Sequence, residues 1–319
     1  MANYSFFTYG TNVDSLLTTS LSRWTDSELI LNVFNQYPLL DRLMEEKKEY
    51  DGGASIIVPI MYDVNSTAKS FAFDDLLDVT PQQGILASQA KWKQYDVSIV
   101  VNGQEVRMNN SKSKAVDLVK SKIKQAEYSL RNKLTGDLFA TAVTGQNINS
   151  FPVMFDASSN IQDINSSTSS WWQAGTTTSG SFAARGLSDM RTAYTNTDVL
   201  APKVVLDTIV TTPTIHNYYE GSLVQKQRYA PTDTKGNASF ETLRFKTADV
   251  MYDTACTSGS MYLFPSELLE LNVHTDANMV ESDWRVPINQ DVRVKHIFLM
   301  AQLVVKARRK LQVISGITA

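Results

Sequence analysis

Two short segments with the two-residue period of a strand, 54–64 and 91–101, stand on either side of a long polar stretch. In the first, Ile56, Val58, Ile60 and Tyr62 fall on one face, and Pro59 restricts it to an edge position. In the second, Tyr95, Val97, Ile99 and Val101 alternate with Asp96, Ser98 and Val100, and Asn102-Gly103 marks a turn. The natural reading pairs the two as a ribbon. Between them, 65–90 carries Asp74, Asp75, Asp78, Pro81 and Gly84 with few apolar anchors. A two-stranded ribbon is marginal in water by itself. It must therefore either dock on its own domain or act as an arm whose partner is another chain, and its scarcity of anchors favours the arm.

The clearest helix is 111–142, where Val116, Val119, Ile123, Ala126, Leu130, Leu134 and Leu138 form one stripe at spacings of three and four. At ~1.5 Å per residue it would reach ~45 Å. Lys112, Lys114, Lys120, Lys122, Lys124, Arg131 and Lys133 occupy much of its remaining surface, interrupted by Asp117, Glu127 and Asp137. A solvated face explains this better than a DNA contact. Upstream, Leu29, Ile30, Val33, Phe34, Leu39, Leu40 and Leu43 around Pro38 predict short helical pieces, and the mixed-sign run 45–49 leads to a break at Asp51-Gly52-Gly53.

Downstream, 146–181 is polar around Trp171-Trp172, a pair that reads as a loop anchor or, alternatively, a stacking platform. A short helix is expected at 187–195, a buried central strand at 203–210 and a helix at 214–226 capped by Thr214. Strands follow at 243–252 and 260–264. The end of the chain, 291–298 and 303–313, reads as two adjacent antiparallel strands.

No pattern of residues carries chemistry. There is no GxGxxG, GxxxxGK[ST] or GxSxG, and no closely spaced His or Cys pair of the kind that binds metal. Cys256 lacks a local partner, and His216, His274 and His296 lie far apart. No catalytic, cofactor-binding or metal residue is predicted. Thirty basic and 33 acidic residues give a net charge of -3, so any nucleic-acid contact would be weak. The absence of a basic, apolar leader and of a ~20-residue apolar run predicts a soluble protein made inside the cell, with no membrane partner.

Several stretches resemble tailed-phage major capsid proteins: TPQQGILASQAKWKQYDVSI, KIKQAEYSLRNKL, MYLFPSELLELNVHTDANM and VPINQDVRVKHIFLMAQLVVKARRKLQVISGI. DGG at 51–53, Trp171-Trp172 and LRFKTADVMYD fit the same order, so the resemblance covers most of the chain from about residue 40. It implies the α+β, Hong Kong 97-like capsid fold. That fold has an N-terminal arm (1–50), an extended β-hairpin loop (51–101) and a peripheral domain (102–199) with the spine helix 111–142. An axial domain (200–285) and C-terminal strands (286–319) returning to the peripheral domain complete it.

The implied function is a structural, non-enzymatic subunit that self-assembles into the icosahedral head enclosing a phage's double-stranded DNA. Its partners would be copies of itself in hexamers and pentamers, a separate scaffolding protein, a portal protein and, weakly, the packaged DNA. The scaffold is expected to be separate because the arm begins almost at Met1 instead of after a long charged extension. The place would be the virion, assembled in the host bacterial cytoplasm. Candidate interface residues are Leu29, Val33 and Phe34 in the arm, and Ile56, Val58, Tyr62, Trp92 and Tyr95 in the loop strands. Some members of the family also crosslink a loop lysine, for which Lys69 stands here without an identifiable partner. Two other readings stay open: a hydrolase with Trp171-Trp172 in a carbohydrate groove, and a tail or tube protein.

Overall fold

The computed structural model describes residues 37–108, 118–224 and 243–319. Expectations for the arm residues Leu29, Val33 and Phe34, and for the start of the long helix, lie outside the described residues. The chain opens with α1 (Pro38–Glu45), β1 (Lys48–Tyr50), β2 (Ser55–Met61), β3 (Ile85–Lys91), β4 (Lys93–Asn102), α2 (Gly103–Met108) and α3 (Leu118–Leu138). There follow α4 (Phe151–Met154), β5 (Gly175–Thr178), α5 (Leu187–Val199), β6 (Thr208–Thr211) and α6 (Pro213–Val224). Last come β7 (Leu243–Phe245), β8 (Ala248–Tyr252), β9 (Met261–Phe264), β10 (Leu269–Glu281), β11 (Val292–Val305) and β12 (Gln312–Ser315). Two compact units result. One contains Tyr95–Lys133 and Met279–Leu299, and the other Asn35–Gln94, Leu134–Asn278 and Met300–Ala319.

The larger unit is built on a six-stranded mixed sheet in the order β5-β12-β9-β6-β8-β7. Every residue of β6 and β9 is buried, which requires apolar cover on both faces. Alternation along β9 supplies it. Met261 and Leu263 join Met190, Ala193, Ile209, Ile215 and Tyr219 in one core. Tyr262 and Phe264 point the other way into an aromatic cluster, with Phe155 5.0 Å from Tyr262 and Phe151 5.4 Å from Phe264. The buried run expected at 203–210 is thus a central strand, shortened to Thr208–Thr211. Asp207 ends it by accepting the Ser266 N–H at 2.8 Å.

Three other expectations are corrected. The helix after β6 is capped two residues earlier than Thr214: Thr212 Oγ1 accepts the Ile215 N–H at 3.4 Å, and Pro213 takes the first helical position. The last two strands are not neighbours. Val292–Val305 is a single strand, and β12 crosses into the six-stranded sheet, antiparallel to β9 and parallel to β5. The cause is a 3₁₀ turn at Arg308–Lys310, which exposes Arg309 and turns Arg308 and Lys310 inward. Alternation read through 303–313 misses this change of phase. Finally, β2 pairs antiparallel with β3, Ser55 opposite Lys91 and Met61 opposite Ile85, and not with 91–101. That segment is β4, a member of the second sheet, β1-β10-β11-β4.

In the smaller unit the apolar stripe of α3 buries Ala126 and Leu130, and in the larger unit it continues through Leu134 and Leu138. Lys122 leaves the basic face, pairing with Glu105 at 2.6 Å and donating to Val100 O at 3.1 Å. Asn102-Gly103, expected as a turn, opens α2. Asn102 Oδ1 accepts the Gln104 N–H, and Glu105 accepts the Asn102 N–H in return. A Cβ at Gly103 would displace the exposed Asp291 carboxylate, which packs against the glycine.

Candidate functional site

The β2–β3 hairpin is held to its own unit along one edge of its base, largely by polar groups. Gln162 O accepts the Gln89 N–H at 3.1 Å, and Gln162 Oε1 accepts the Val305 N–H at 3.3 Å. Gln302 Nε2 donates to Lys91 O at 2.8 Å. Gln162 and Asp163 both adopt positive φ, 55° and 59°, in a tight turn closed by Ile161 and Ile164. Beneath lies a small apolar cluster of Ile56, Ala90 and Val304, with Val58 and Trp92 against it. Trp92 Nε1 closes the base by donating to Gly53 O at 3.0 Å.

This geometry redistributes the candidate interface residues. Ile56 and Tyr95 are each only 8% exposed, and Val58 and Trp92 pack on the hairpin's own footing. Tyr62 stacks on Trp171 at 5.2 Å and donates to Gln83 O at 3.0 Å. All five described candidates therefore serve the chain's own packing. Exposed apolar surface lies on the opposite face, at Ile57, Met61 and Ile85, and in the loop beyond. Trp92→Ala accordingly should loosen the hairpin base: protease cleavage within 62–84 is expected to speed up several-fold, while the global unfolding midpoint moves little. Unchanged cleavage would contradict that role.

The loop 62–84, read from sequence as short of anchors, carries Val64, Phe71, Phe73, Leu76, Leu77 and Val79 with their side chains in solvent. Leu76 and Val79 are each 91% exposed. The loop nevertheless has a defined shape, given by its polar residues. Asn65 Oδ1 accepts from the Thr67 N–H at 2.9 Å, Asp75 from Ala72 N–H at 2.9 Å, and Asp78 from Thr80 N–H at 3.0 Å. Lys69 Nζ donates to Leu76 O at 2.8 Å. The Thr80 hydroxyl and N–H hold the Asp78 carboxyl below its ordinary range. Six large apolar groups displayed on a preorganised loop match the pattern of a protein-binding surface, since ordering costs are met before contact. The signal was in the sequence, FAFDDLLDV, an apolar cluster with neither helical nor strand period.

Other features point away from chemistry. Trp172 is buried and donates to Ile161 O at 3.3 Å, and Trp171 is covered by Tyr62, so the pair offers no open platform to a sugar. Burial pushes the Cys256 thiol up to about 12, far from a reactive thiolate. Among the described residues no group of three or more His, Cys, Asp or Glu side chains could hold a metal. No helix among them is long and apolar enough to cross a membrane.

No protein-family model matches this sequence, and no curated protein matches it. Solved structures do match along nearly the whole chain. A chain of the cyanophage A-1(L) capsid asymmetric unit superposes with a TM-score of 0.70 at 16% identity, over 96% of this chain and 99% of that one. The capsid of a native GTA particle gives 0.64 at 9% identity, covering 93% and 96%. The encapsulin of Synechococcus elongatus gives 0.60 at 10% identity, covering 95% of each chain. The chain thus has the α+β fold of these shell-forming proteins, the Hong Kong 97-like capsid fold.

Proposed function

We propose that the chain is a structural subunit that assembles with copies of itself into the closed icosahedral head of a tailed phage, around its double-stranded DNA. The observation that carries this reading is the conjunction of an end-to-end capsid fold with a preorganised hairpin loop whose apolar side chains are exposed among the described residues. In this reading the hairpin and its loop, 51–91, form the extended arm that lies over a neighbouring copy. The helix α3 is the spine of the peripheral region. The six-stranded sheet forms the axial region, with β12 contributed by the end of the chain.

Burying a side chain such as Phe73 or Leu76 is worth roughly 2 kcal/mol, so one loop gives a contact of moderate strength and closure of many gives a stable shell. A scaffolding protein, a portal protein and weak DNA contacts complete the set of partners, and the virion is the site of action after assembly in the bacterial cytoplasm. The net charge of -3 fits a shell that encloses DNA without gripping it.

Sedimentation velocity and negative-stain electron microscopy of the purified protein, alone and with a co-expressed scaffold, test the proposal. Closed shells, or rings of five or six copies, are expected. A monomer or dimer under both conditions would overturn it.

A further inference from the structure

The helix α1 is too short to hold itself together. Its eight residues fall below the length at which an isolated helix is stable in water, so it exists because it is docked. Leu39, Leu40 and Leu43 bury one side of it in the larger unit. Its N-terminus has no cap of its own, since Tyr37 makes no side-chain capping bond and Pro38 has no N–H to give. The acceptor comes from a distant part of the chain. Asp253, directly after β8, turns its carboxylate toward the first turn of α1, where the Leu39 N–H faces it. The Asp253 N–H donates to Thr211 O at 2.9 Å, and Asp253 Oδ1 accepts the Ala255 N–H at 2.9 Å, so the carboxylate is held in place.

This cap is poorly supported as an ion. Asp253 is 1% exposed, and its Oδ2 has no hydrogen-bond partner among the described residues. The charge that acts on it from α1 is Asp41, of the same sign, while Arg42, the basic residue of the helix, pairs instead with Asp207 at 3.4 Å and Glu46 at 3.6 Å. In the turn that follows β8, the Cys256 thiol is pushed up to about 12 by burial, and the Tyr262 phenol on β9 is also pushed up by burial, so both are neutral neighbours. Two N–H groups beside a like charge replace too little of the water that an ionised carboxylate loses. Burial accordingly pushes the Asp253 carboxyl above its ordinary range, against the pull of the Ala255 and Leu39 N–H groups.

We propose that Asp253 is a proton-operated latch for α1: the neutral acid fastens the helix to the end of β8, and the ionised acid loosens it. Undocking α1 returns the carboxyl to water and to its ordinary value, so docking takes up protons. The hold is complete below that ordinary value, about 3.9, and is lost as the pH rises through the higher value of the docked state. Residues 1–36 directly precede α1 in the chain, so the latch sets how firmly their point of attachment is held.

Hydrogen exchange read by mass spectrometry on the full-length unassembled protein tests this, with rates corrected for the pH dependence of intrinsic exchange. In the wild type, protection of the 38–46 amides is expected to fall at least about threefold between about pH 5 and about pH 7.5, while that of β6 and β9 holds. Asp253→Asn, which keeps an acceptor oxygen and cannot ionise, should keep the acid-side protection of α1 across the whole range. If Asp253 served only as a charged cap, the same variant would loosen α1 at neutral pH, and that result overturns the inference. So does wild-type protection that is equal at both pH values, a fall shared by β6 and β9, or wild-type pH dependence retained in Asp253→Asn. Should that variant not fold, Asp41→Asn decides. By removing the like charge it should shift the wild-type midpoint to lower pH, and an unmoved midpoint overturns the inference equally.

Discussion

Arg308→Met is expected to destabilise the unassembled subunit by about 4 kcal/mol or more, the upper range for a single substitution. Arg308 is 1% exposed, and its guanidinium is satisfied mainly by neutral acceptors. Its Nε donates to Met154 O at 2.9 Å, and its two terminal nitrogens reach Ser159 O at 2.7 Å, Ser166 Oγ at 2.6 Å, Val153 O at 3.2 Å and Asp156 O. One side chain thereby gathers the turn 153–166, the same segment whose Gln162 grips the hairpin base. Burial pulls the guanidinium down to about 10, so it remains charged at neutral pH, and removing it strands several buried carbonyls at roughly 1–3 kcal/mol each before water relaxes the site. Arg308→Lys should recover only part of the loss, because an ammonium has three donors and no planar fork. Chemical denaturation checks both, and a cost below about 1 kcal/mol for Arg308→Met would refute the role assigned to the residue.

The double variant Phe73→Asp/Leu76→Asp should behave in the opposite way. Both side chains are in solvent in the single chain, so subunit stability should change by less than about 0.5 kcal/mol. If both are buried against a neighbour, their loss removes roughly 4 kcal/mol from each contact, and the new charges add a desolvation cost. The concentration needed for assembly should rise by at least about a hundredfold, since 1.4 kcal/mol corresponds to a factor of ten and a closed shell repeats the contact many times. Light scattering against concentration measures this. Assembly at the wild-type threshold would mean that the loop's apolar surface serves some other partner.

The parts of the fold that follow from a single residue's neighbours in sequence were readable. The α3 stripe announces itself because Ala126, Leu130, Leu134 and Leu138 recur at the helical spacing and are in fact buried. β6 does so because a β-branched run with no polar face must be covered on both sides. The hairpin was readable as an element but not in its pairing or its facing. The return strand ILASQAK buries Ser88 and Ala90 and exposes Ile85 and Leu86, the inverse of what hydrophobicity suggests, so the better-alternating β4 looks like the partner in sequence. Ile56, Val58 and Trp92, expected at an intermolecular contact, pack on the hairpin's footing, and Ile57, Met61 and the loop's apolar side chains are exposed. Arg308 could not be found from sequence: a lone arginine among ARRK reads as solvated, and only the 3₁₀ turn decides which of the basic residues points inward.

The central claim is that this chain closes shells by laying its hairpin loop on a neighbouring copy. A cryo-electron microscopy reconstruction of assembled particles tests it most directly, through the environment of residues 62–84. The predicted result is a closed shell in which Phe71, Phe73, Leu76 and Leu77 of each copy are covered by another. Particles in which the loop stands free in solvent, or folds back on its own chain, would contradict it.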